Sequence, residues 1–255
     1  MTTASGTPGP RGGGVRLRGT DREIRAVVFD TDGVLTDSAR LHAAAWKDAF
    51  DAFLTEEGHG SQPPFDAVGE YLRHVDGKSR LDGARDFLRS RGLNPSEEQI
   101  RTVASVKDRA YLSRLGTEGA EVFPDAVRLL RRLRTRGVAL GAASASRHAG
   151  DVLDRAGLRP LLDTVVDGND TAHLPGKPDP ALFLEAARRL GPGPGATAVA
   201  EDAVAGVEAW HRGGFALVVG VDRADLPDRR ARLLHHGADL VVTGLDGLLR
   251  EDEDP

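Results

Sequence analysis

The hydrophobic pattern of the chain changes near residue 118. Beyond this point, short apolar runs predict strands at 138–143, 163–166, 197–200, 215–221 and 239–242. The amphipathic segments before and between them predict helices at 124–136, 147–156, 180–190 and 203–213. Strands that alternate with helices in this way are typical of a parallel sheet covered by helices on both faces. The second half of the chain is therefore predicted to be a doubly wound α/β structure.

The first apolar run lies far ahead of this alternation, at residues 26–29. It is apolar throughout, as expected for a strand that is buried on both faces of a parallel sheet. Helical spacing of apolar residues predicts helices at 40–55, 66–75, 80–91 and 96–115. We therefore expect residues 23–39 and 118–250 to form one α/β core, with residues 40–117 inserted into it as an all-helical cap.

The bulk composition is ordinary for a globular protein. Of the 255 residues, 40% are hydrophobic and 29% are charged, and the net charge of −5 does not suggest a nucleic-acid-binding surface. The absence of cysteine excludes disulfides, thiolate metal sites and a cysteine nucleophile. No apolar run approaches the ~18 residues that span a membrane. Residues 1–22 lack the apolar core of a signal peptide and are predicted to be a disordered tail. We expect a cytoplasmic protein.

Two aspartates directly follow the first predicted strand. Asp30 and Asp32 precede Gly33, where the chain must turn. Ligands bind at the carboxyl ends of the strands in open α/β sheets, and two neighbouring carboxylates require a nearby cation. The alternative is an Asp-Gly turn that only caps the next element, and for these residues alone that alternative is the commoner case.

Three later segments carry polar residues of a complementary kind. The second core strand leads to Ser144, the fourth ends in Glu201 and Asp202, and Lys177 precedes a predicted helix. Carboxylates on two strands can hold a hard divalent cation, most naturally Mg²⁺, while a hydroxyl and a lysine can bind phosphate oxygens. Each group alone is more often structural. Together they predict a Mg²⁺-dependent phosphoryl-transfer site.

These motifs resemble those of the haloacid dehalogenase (HAD) superfamily of phosphoryl-transfer enzymes, over residues 24–250. The resemblance implies a Rossmann-like core in which Asp30 is the nucleophile that forms an aspartyl-phosphate. It implies that Asp32 is the general acid and base, with its backbone carbonyl as a metal ligand. Ser144 and Lys177 would hold the transferring phosphoryl group. The residues implied to hold Mg²⁺ are Asp30, Asp32, Glu201 and Asp202.

The residue types suit this chemistry. An aspartate such as Asp30 is ionised at neutral pH and can attack phosphorus without a base, while Mg²⁺ and Lys177 offset the charge of the phosphate. The second carboxylate, Asp32, can protonate the leaving oxygen. Its presence argues against the dehalogenase branch of the superfamily, which does not need it.

The predicted cap is similar to that of the β-phosphoglucomutase family within the first cap subclass. His42 and Trp46 match that family in their spacing from Asp30, although two residues four apart on a helix could also be a simple core pair. The substrate-binding residues implied by the resemblance are His42, Trp46, Gly77, Ser79, Arg80, Lys107, Ser146 and Arg147. Arg147 stands where that family has lysine, and Gly83 where it has serine.

The use of lysine adds weight to one of these residues, Lys107. Only Lys47, Lys78, Lys107 and Lys177 are lysines among the 34 basic residues. In a chain that uses arginine so freely, lysine is expected mainly where a compact ammonium group is needed. This favours a specific role for Lys107, since a surface position in this chain would usually be arginine.

The expected partner is a small phosphorylated sugar, bound by a monomer. The first hypothesis is isomerisation of β-glucose 1-phosphate to glucose 6-phosphate through a bisphosphate, which requires His42, Arg80 and Lys107 to face the cleft. The alternative is a HAD-type phosphatase, in which water takes the phosphoryl group from Asp30. A non-enzymatic receiver domain would accept phosphate only as a signal. Such domains lack a large helical insert and carry their aspartate on a later strand.

Overall fold

The computed structural model describes residues 13–56, 62–171 and 173–250. Its strands are β1 (Val15–Arg16), β2 (Glu23–Ile24), β3 (Ala26–Phe29), β4 (Ala139–Ala143), β5 (Thr164–Val166), β6 (Thr197–Glu201), β7 (Leu217–Val221) and β8 (Leu240–Val242). Its α-helices are α1 (Ala39–Glu56), α2 (Arg80–Ser90), α3 (Glu97–Glu118), α4 (Pro124–Thr135), α5 (Ala149–Arg155), α6 (Ala181–Leu190), α7 (Val204–Arg212) and α8 (Pro227–His235). Within these ranges, no helix is both long enough and apolar enough to cross a membrane.

Six parallel strands form the main sheet, in the order β5-β4-β3-β6-β7-β8. The chain runs outward from β3 to β5 and then returns to the other side of β3 to continue through β8. The strand order therefore reverses beside β3, and this kind of reversal opens a ligand-binding crevice at the carboxyl ends of the strands. The residue that follows β3 is Asp30.

The two faces of the sheet bury different halves of β3. Val27 and Phe29 belong to the hydrophobic cluster that includes Leu130 of α4. Ala26 and Val28 point to the opposite face, because side chains alternate along a strand, and join the cluster that contains Phe183 and Trp210. All four residues of the strand are buried. This double coverage explains the uninterrupted apolar run that predicts β3.

Helices α1, α2 and α3 form a cap with its own core. Phe50 of α1 contacts Phe87 of α2 with ring centroids 4.0 Å apart, and Phe65 lies edge-on to Phe87 at 4.9 Å. Ile100 and Val103 of α3 complete this cluster. The cap therefore buries apolar surface independently of the main sheet, as the predicted insertion of a helical cap into an α/β core requires.

The cap joins the core through two chain segments that lie side by side. The amide of Asp37 donates to the carbonyl of Glu121 at 2.8 Å, and the amide of Phe123 donates to the carbonyl of Leu35 at 3.1 Å. The outgoing and returning segments are thus held together by backbone hydrogen bonds. They form a paired linker between the cap and the core.

The prediction of a disordered tail over 1–22 is wrong for the part that the structure describes. β1 and β2 form a two-stranded antiparallel sheet in which Val15 pairs with Ile24. Val15 and Leu17 are buried in the main core. Apolar residues alternate with Arg16 here, but this stretch is too short to stand out from the glycines and arginines around it. The first twelve residues and the acidic C-terminal segment 251–255 lie outside the described residues.

Two further elements differ from the prediction. The helix predicted at 66–75 is reduced to a single π-helical segment, Tyr71–Val75. Helix α8 was not predicted, because Leu233 is its only buried residue and the sequence therefore lacks an apolar stripe. Its position matters for the site, since it carries Arg229.

Candidate active site

A cavity of about 390 Å³ separates the cap from the carboxyl ends of the central strands. Every residue that the sequence assigns to the site lines it. These residues are Asp30, Asp32, His42, Trp46, Gly77, Ser79, Arg80, Lys107, Ser144, Ser146, Arg147, Lys177, Glu201 and Asp202. The ends of β3, β4 and β6 form the floor of the cavity, and α1, α2 and α3 contribute the side chains of its roof.

Asp30 lies at the centre of the floor and is only 4% exposed. Its Oδ1 accepts a hydrogen bond from Lys177 Nζ at 2.8 Å, and its Oδ2 accepts one from the backbone amide of Asp32 at 3.0 Å. Burial and the nearby charge of Glu201 raise the pKa of Asp30 well above its usual value, although Lys177 opposes this. The chain turns away at Gly33 with φ of +77°, where a Cβ atom would overlap the carboxylate of Asp202.

Lys177 is fixed between two buried carboxylates. Its Nζ donates to Asp30 and also to Glu201 Oε2, which lies 2.9 Å away. Burial alone would lower the pKa of Lys177, but Asp30 and Glu201 outweigh it and raise the pKa. Glu201 itself accepts hydrogen bonds from the amide of Ala203 at 3.1 Å and from Trp210 Nε1 at 3.3 Å. Glu201 therefore orients Lys177, which stays charged and points at Asp30.

Three carboxylates on the floor could share a metal ion. One oxygen from each of Asp30, Glu201 and Asp202 lies within 4.8 Å of the others, and all three residues are buried. Two cations lie against them, Lys177 and Arg229, whose Nη2 is 3.0 Å from Asp202 Oδ2. The cluster thus keeps an excess negative charge in a buried place. A divalent cation with oxygen ligands fits this donor set.

Asp32 faces the cap and not the carboxylate cluster. Its Oδ1 accepts a hydrogen bond from Ser38 and lies 3.4 Å from His42 Nε2. Burial raises the pKa of Asp32, but the combined effects of His42, Ser38 and Lys107 outweigh it and lower the pKa to about 2. The carboxylate of Asp32 is therefore ionised at neutral pH and free of the metal cluster.

His42 and Lys107 form a buried pair above Asp32. Lys107 Nζ lies 2.7 Å from His42 Nδ1. Because an ammonium group can only donate, Nδ1 must accept, and the proton of the neutral imidazole is on Nε2, which faces Asp32. Burial and the charge of Lys107 lower the pKa of His42, which agrees with a neutral ring. The ring of Tyr111 stacks on His42 with centroids 4.0 Å apart.

Replacing Lys107 with methionine is expected to raise the free energy of unfolding by roughly 2 kcal/mol at pH 7. Burial lowers the pKa of Lys107 to about 8. For each pKa unit below the value in the unfolded chain, the charged lysine destabilises the folded protein by about 1.4 kcal/mol. Loss of the hydrogen bond between Lys107 and His42 lowers the free energy of unfolding by about 1 kcal/mol, which reduces the net gain. Urea denaturation measures the difference, and turnover of sugar phosphate should fall in the same variant.

The stability gain of Lys107→Met has a defined pH dependence. The unfolded chain keeps this proton up to about pH 10.4, whereas the folded chain releases it near pH 8. The gain is therefore complete below pH 8 and disappears as the pH rises towards 10.4. The matched control is Lys47→Met, because the Lys47 side chain is 42% exposed in its ion pair with Asp51. The control should change stability by less than about 1 kcal/mol. A less stable Lys107→Met protein would contradict this account.

The floor continues through the loop that follows β4. Ser144 is buried, and its Oγ accepts a hydrogen bond from the amide of Ser146 at 3.1 Å. Ser146 Oγ in turn accepts one from the amide of His148 at 3.3 Å. These turns hold the loop in a fixed shape against the end of the sheet. Arg147 extends from it towards the cap, with Nη2 3.8 Å from Asp108 Oδ2.

The cap residues differ in how directly they face the cavity. Gly77 has φ of +73° and packs against the loop after β6, where a Cβ atom would lie 2.7 Å from that of Ala203. Ser79 caps α2, because its Oγ accepts from the amide of Asp82 at 3.3 Å. Trp46 stacks on Phe50 at 4.8 Å and belongs to the cap core while one edge lines the cavity. Trp46 is therefore both a core residue and a wall of the cleft.

Several charged or titratable residues at the site were not predicted from the sequence, among them Asp76, Asp108 and His148, which line the cavity, and Arg229, which contacts Asp202. Asp76, Asp108 and His148 each lie next to a predicted residue in the chain, and this adjacency was an available signal. Burial raises the pKa of Asp76 to about 6, although the charge of Arg229 opposes this. Arg229 donates to both the carbonyl and the carboxylate of Asp202, and it comes from the unpredicted helix α8. No sequence motif marked it.

Comparisons with known proteins agree with this geometry. A family model described as haloacid dehalogenase-like hydrolase matches residues 24–214. The chain is 40% identical over 248 residues to a beta-phosphoglucomutase from Mycobacterium bovis, covering 92% of this chain and 95% of the relative. It is 32% identical over 232 residues to a beta-phosphoglucomutase from Bacillus subtilis, covering 89% and 93%. The crystal structure of a beta-phosphoglucomutase from Clostridium difficile aligns with a TM-score of 0.70 at 27% identity, covering 88% of this chain and 92% of that one. The chain belongs to the haloacid dehalogenase-like hydrolases.

Proposed function

We propose that the protein is a Mg²⁺-dependent β-phosphoglucomutase that converts β-glucose 1-phosphate to glucose 6-phosphate through an aspartyl-phosphate. The observation that carries the proposal is the pairing of His42 and Lys107 in the cap directly above Asp32, across the cleft from Asp30 and Lys177. Relatives that bear this name and share the full span of cap and core support it.

The proposed nucleophile is Asp30. Lys177 binds one of its oxygens and the amide of Asp32 binds the other, so the carboxylate is fixed in one orientation before substrate arrives. Ser144 and Lys177 would hold the oxygens of the transferring phosphoryl group. Asp30, Asp202 and the backbone carbonyl of Asp32 would hold Mg²⁺, with Glu201 in support. When bound, the ion supplies positive charge beside the phosphoryl oxygens.

Asp32 is proposed to move the proton. Because its carboxylate is ionised, Asp32 accepts the proton of the attacking sugar hydroxyl and returns it to the oxygen that leaves in the opposite step. His42 Nε2 lies 3.4 Å from Asp32 Oδ1 without a hydrogen bond between them, and a small rotation of the imidazole would let its proton hold the carboxylate towards the cleft. Lys107 keeps His42 in the tautomer that makes this possible. This chain of contacts couples the cap to proton transfer.

The difference between a mutase and a phosphatase lies in what reaches the phosphorylated Asp30. A phosphatase admits water, whereas a mutase keeps the phosphoryl group until a sugar hydroxyl arrives. His42, Trp46 and Lys107 are all buried and cover the cleft above the floor. Arg80 and Arg147 add positive charge at the other end of the cavity, where a second phosphate can be bound. Both features favour the mutase.

Product analysis tests the proposal. The protein is incubated with Mg²⁺, β-glucose 1-phosphate and a trace of β-glucose 1,6-bisphosphate, and glucose 6-phosphate and free phosphate are measured together. We expect glucose 6-phosphate to accumulate with little free phosphate. The α anomer of glucose 1-phosphate is the matched control substrate, and chelation of Mg²⁺ should stop the reaction. Release of free phosphate without glucose 6-phosphate would replace the mutase by the phosphatase.

A further inference from the structure

Asp108 of α3 lies among three cationic or proton-donating side chains at the far end of the cavity. Its Oδ1 accepts a hydrogen bond from Arg80 Nη1 at 3.1 Å and lies 2.9 Å from His148 Nε2. Its Oδ2 lies 3.8 Å from Arg147 Nη2. Arg80 belongs to the cap, whereas Arg147 and His148 belong to the core loop after β4. One cap carboxylate therefore joins cations from both sides of the cleft.

The cluster is partly shielded from solvent. The side chains of Asp108, Arg80 and His148 are 22%, 27% and 17% exposed. Burial raises the pKa of Asp108, but the hydrogen bond from His148 and the charge of Arg80 outweigh it and hold the pKa below its usual value. The carboxylate is thus ionised, with Oδ1 hydrogen-bonded and Oδ2 in a looser ion pair with Arg147, whose side chain is 44% exposed. Two guanidinium groups and an imidazole around one anion are also the donors that suit a phosphate group.

The cluster is connected to the catalytic end of the cleft through stacked rings. His148 stacks on Tyr111 at 5.8 Å, and Tyr111 stacks on His42 at 4.0 Å. The cluster therefore lies two ring contacts beyond the His42 ring that faces Asp32. A sugar whose transferring phosphate rests on the floor would extend its remote end in this direction.

We propose that Asp108 is an internal substitute for the second phosphate of the substrate: it occupies the cations Arg80, Arg147 and His148 in the ligand-free enzyme, and the phosphoryl dianion displaces it. The inference deepens the proposed function and rests on it. A phosphoryl dianion carries more charge and more acceptor oxygens than a carboxylate. It can therefore replace Asp108 as the acceptor for these donors, whereas an uncharged sugar cannot. Asp108 thereby makes binding at this end of the cavity selective for ligands that carry a phosphate.

This role differs from that of a residue that positions the cations for binding. A positioning carboxylate would make the site better at binding phosphate, and its loss would weaken the affinity. A competing carboxylate lowers the affinity, because its ion pairs must break or its charge must stay beside the incoming dianion. Asparagine has the same shape and keeps an acceptor oxygen, but it removes the charge. The two roles therefore predict opposite results for Asp108→Asn.

The experiment measures binding without turnover. Calorimetric titration of the full-length protein with glucose 6-phosphate should give about tenfold tighter binding for Asp108→Asn than for wild type, which corresponds to ~1.4 kcal/mol. Asp151→Asn removes the same charge from an exposed position on α5 and should bind like wild type. Asp108→Glu keeps the charge and should also stay close to wild type. Addition of Arg80→Gln to Asp108→Asn should abolish the gain.

Unchanged or weaker binding by a folded Asp108→Asn protein would overturn the proposal. An equal gain for Asp108→Glu would overturn it as well, because that variant still carries the competing charge. Thermal melts of all variants establish folding. Binding of glucose 6-phosphate does not depend on which product forms, so failure here is separable from failure of the mutase assignment, which the product analysis of wild type decides.

Discussion

Replacement of Lys177 with methionine should destabilise the protein by about 3–5 kcal/mol and stop phosphoryl transfer. The Lys177 side chain is 1% exposed and neutralises Asp30 and Glu201, whose side chains are 6% and 0% exposed. Removal of the ammonium leaves two buried carboxylates side by side without their cation. The free energy of unfolding from urea denaturation measures this loss.

The destabilisation of Lys177→Met should depend on pH. Burial already raises the pKa of Asp30, and loss of Lys177 removes the cation that opposes this rise. As the pH falls below the raised pKa of Asp30 in the folded chain, the carboxyl takes up a proton and the cost of its uncompensated charge shrinks, until it vanishes below the unfolded value of about 3.9. The loss of stability should therefore be larger at pH 8 than at pH 5. A loss that is equal at both pH values would show that packing, and not the buried charge, is responsible.

Lys107 provides an informative contrast to Lys177. The same substitution, lysine to methionine, is expected to stabilise the protein at Lys107 and to destabilise it at Lys177, although both residues are buried. The difference arises because Lys107 faces a neutral histidine, whereas Lys177 faces two carboxylates. Burial alone does not determine the sign. The charge of the neighbours does.

Asp30→Asn should reduce turnover by a factor on the order of 10⁴ or more, because it removes the nucleophile. Asparagine retains the shape of the side chain, and Lys177 keeps its contact with Glu201, so the fold should persist. Stability should be equal or higher, since the raised pKa of Asp30 reflects an ionised group that is unfavourably buried. Turnover and the mass of the protein after incubation with bisphosphate are the two measurements.

The mass measurement identifies the atom that is phosphorylated. Wild type should gain one phosphoryl group, which a peptide map should locate to Asp30, and Asp30→Asn should gain none. Asp37→Asn is the matched control, because Asp37 lies in the same segment with a side chain that is 43% exposed. A phosphorylated Asp30→Asn protein would assign the nucleophile to another residue.

The core half of the site could be predicted from the sequence because a rule of topology places it. Parallel strands bring their carboxyl ends to one edge, so Asp30, Ser144 and Glu201 meet there, whatever the details of the packing. Lys177 follows the same rule from the loop before α6. The fold alone predicts that these residues lie close together. The resemblance to a known superfamily then predicts the chemical role of each.

The cap half was less predictable because it depends on how two separate units meet. The resemblance implies that Arg80 binds substrate, but its contact with Asp108 depends on the packing of α2 against α3. The contact of Asp108 with His148 depends further on the position of the cap over the core. Arg229 was missed because its helix shows no apolar stripe. Contacts between elements that are far apart in sequence leave no local pattern.

The paired linker has a consequence for how such enzymes diversify. Since Leu35 and Phe123 are joined by a backbone hydrogen bond, the cap begins and ends at nearly the same point of the core. An insertion of this kind can lengthen, shrink or be exchanged without displacing β3 or α4. Changes at Arg80 can then alter which sugar is accepted while the chemistry of Asp30 stays the same. Selection can act on substrate choice at such positions without altering the core that carries out the reaction.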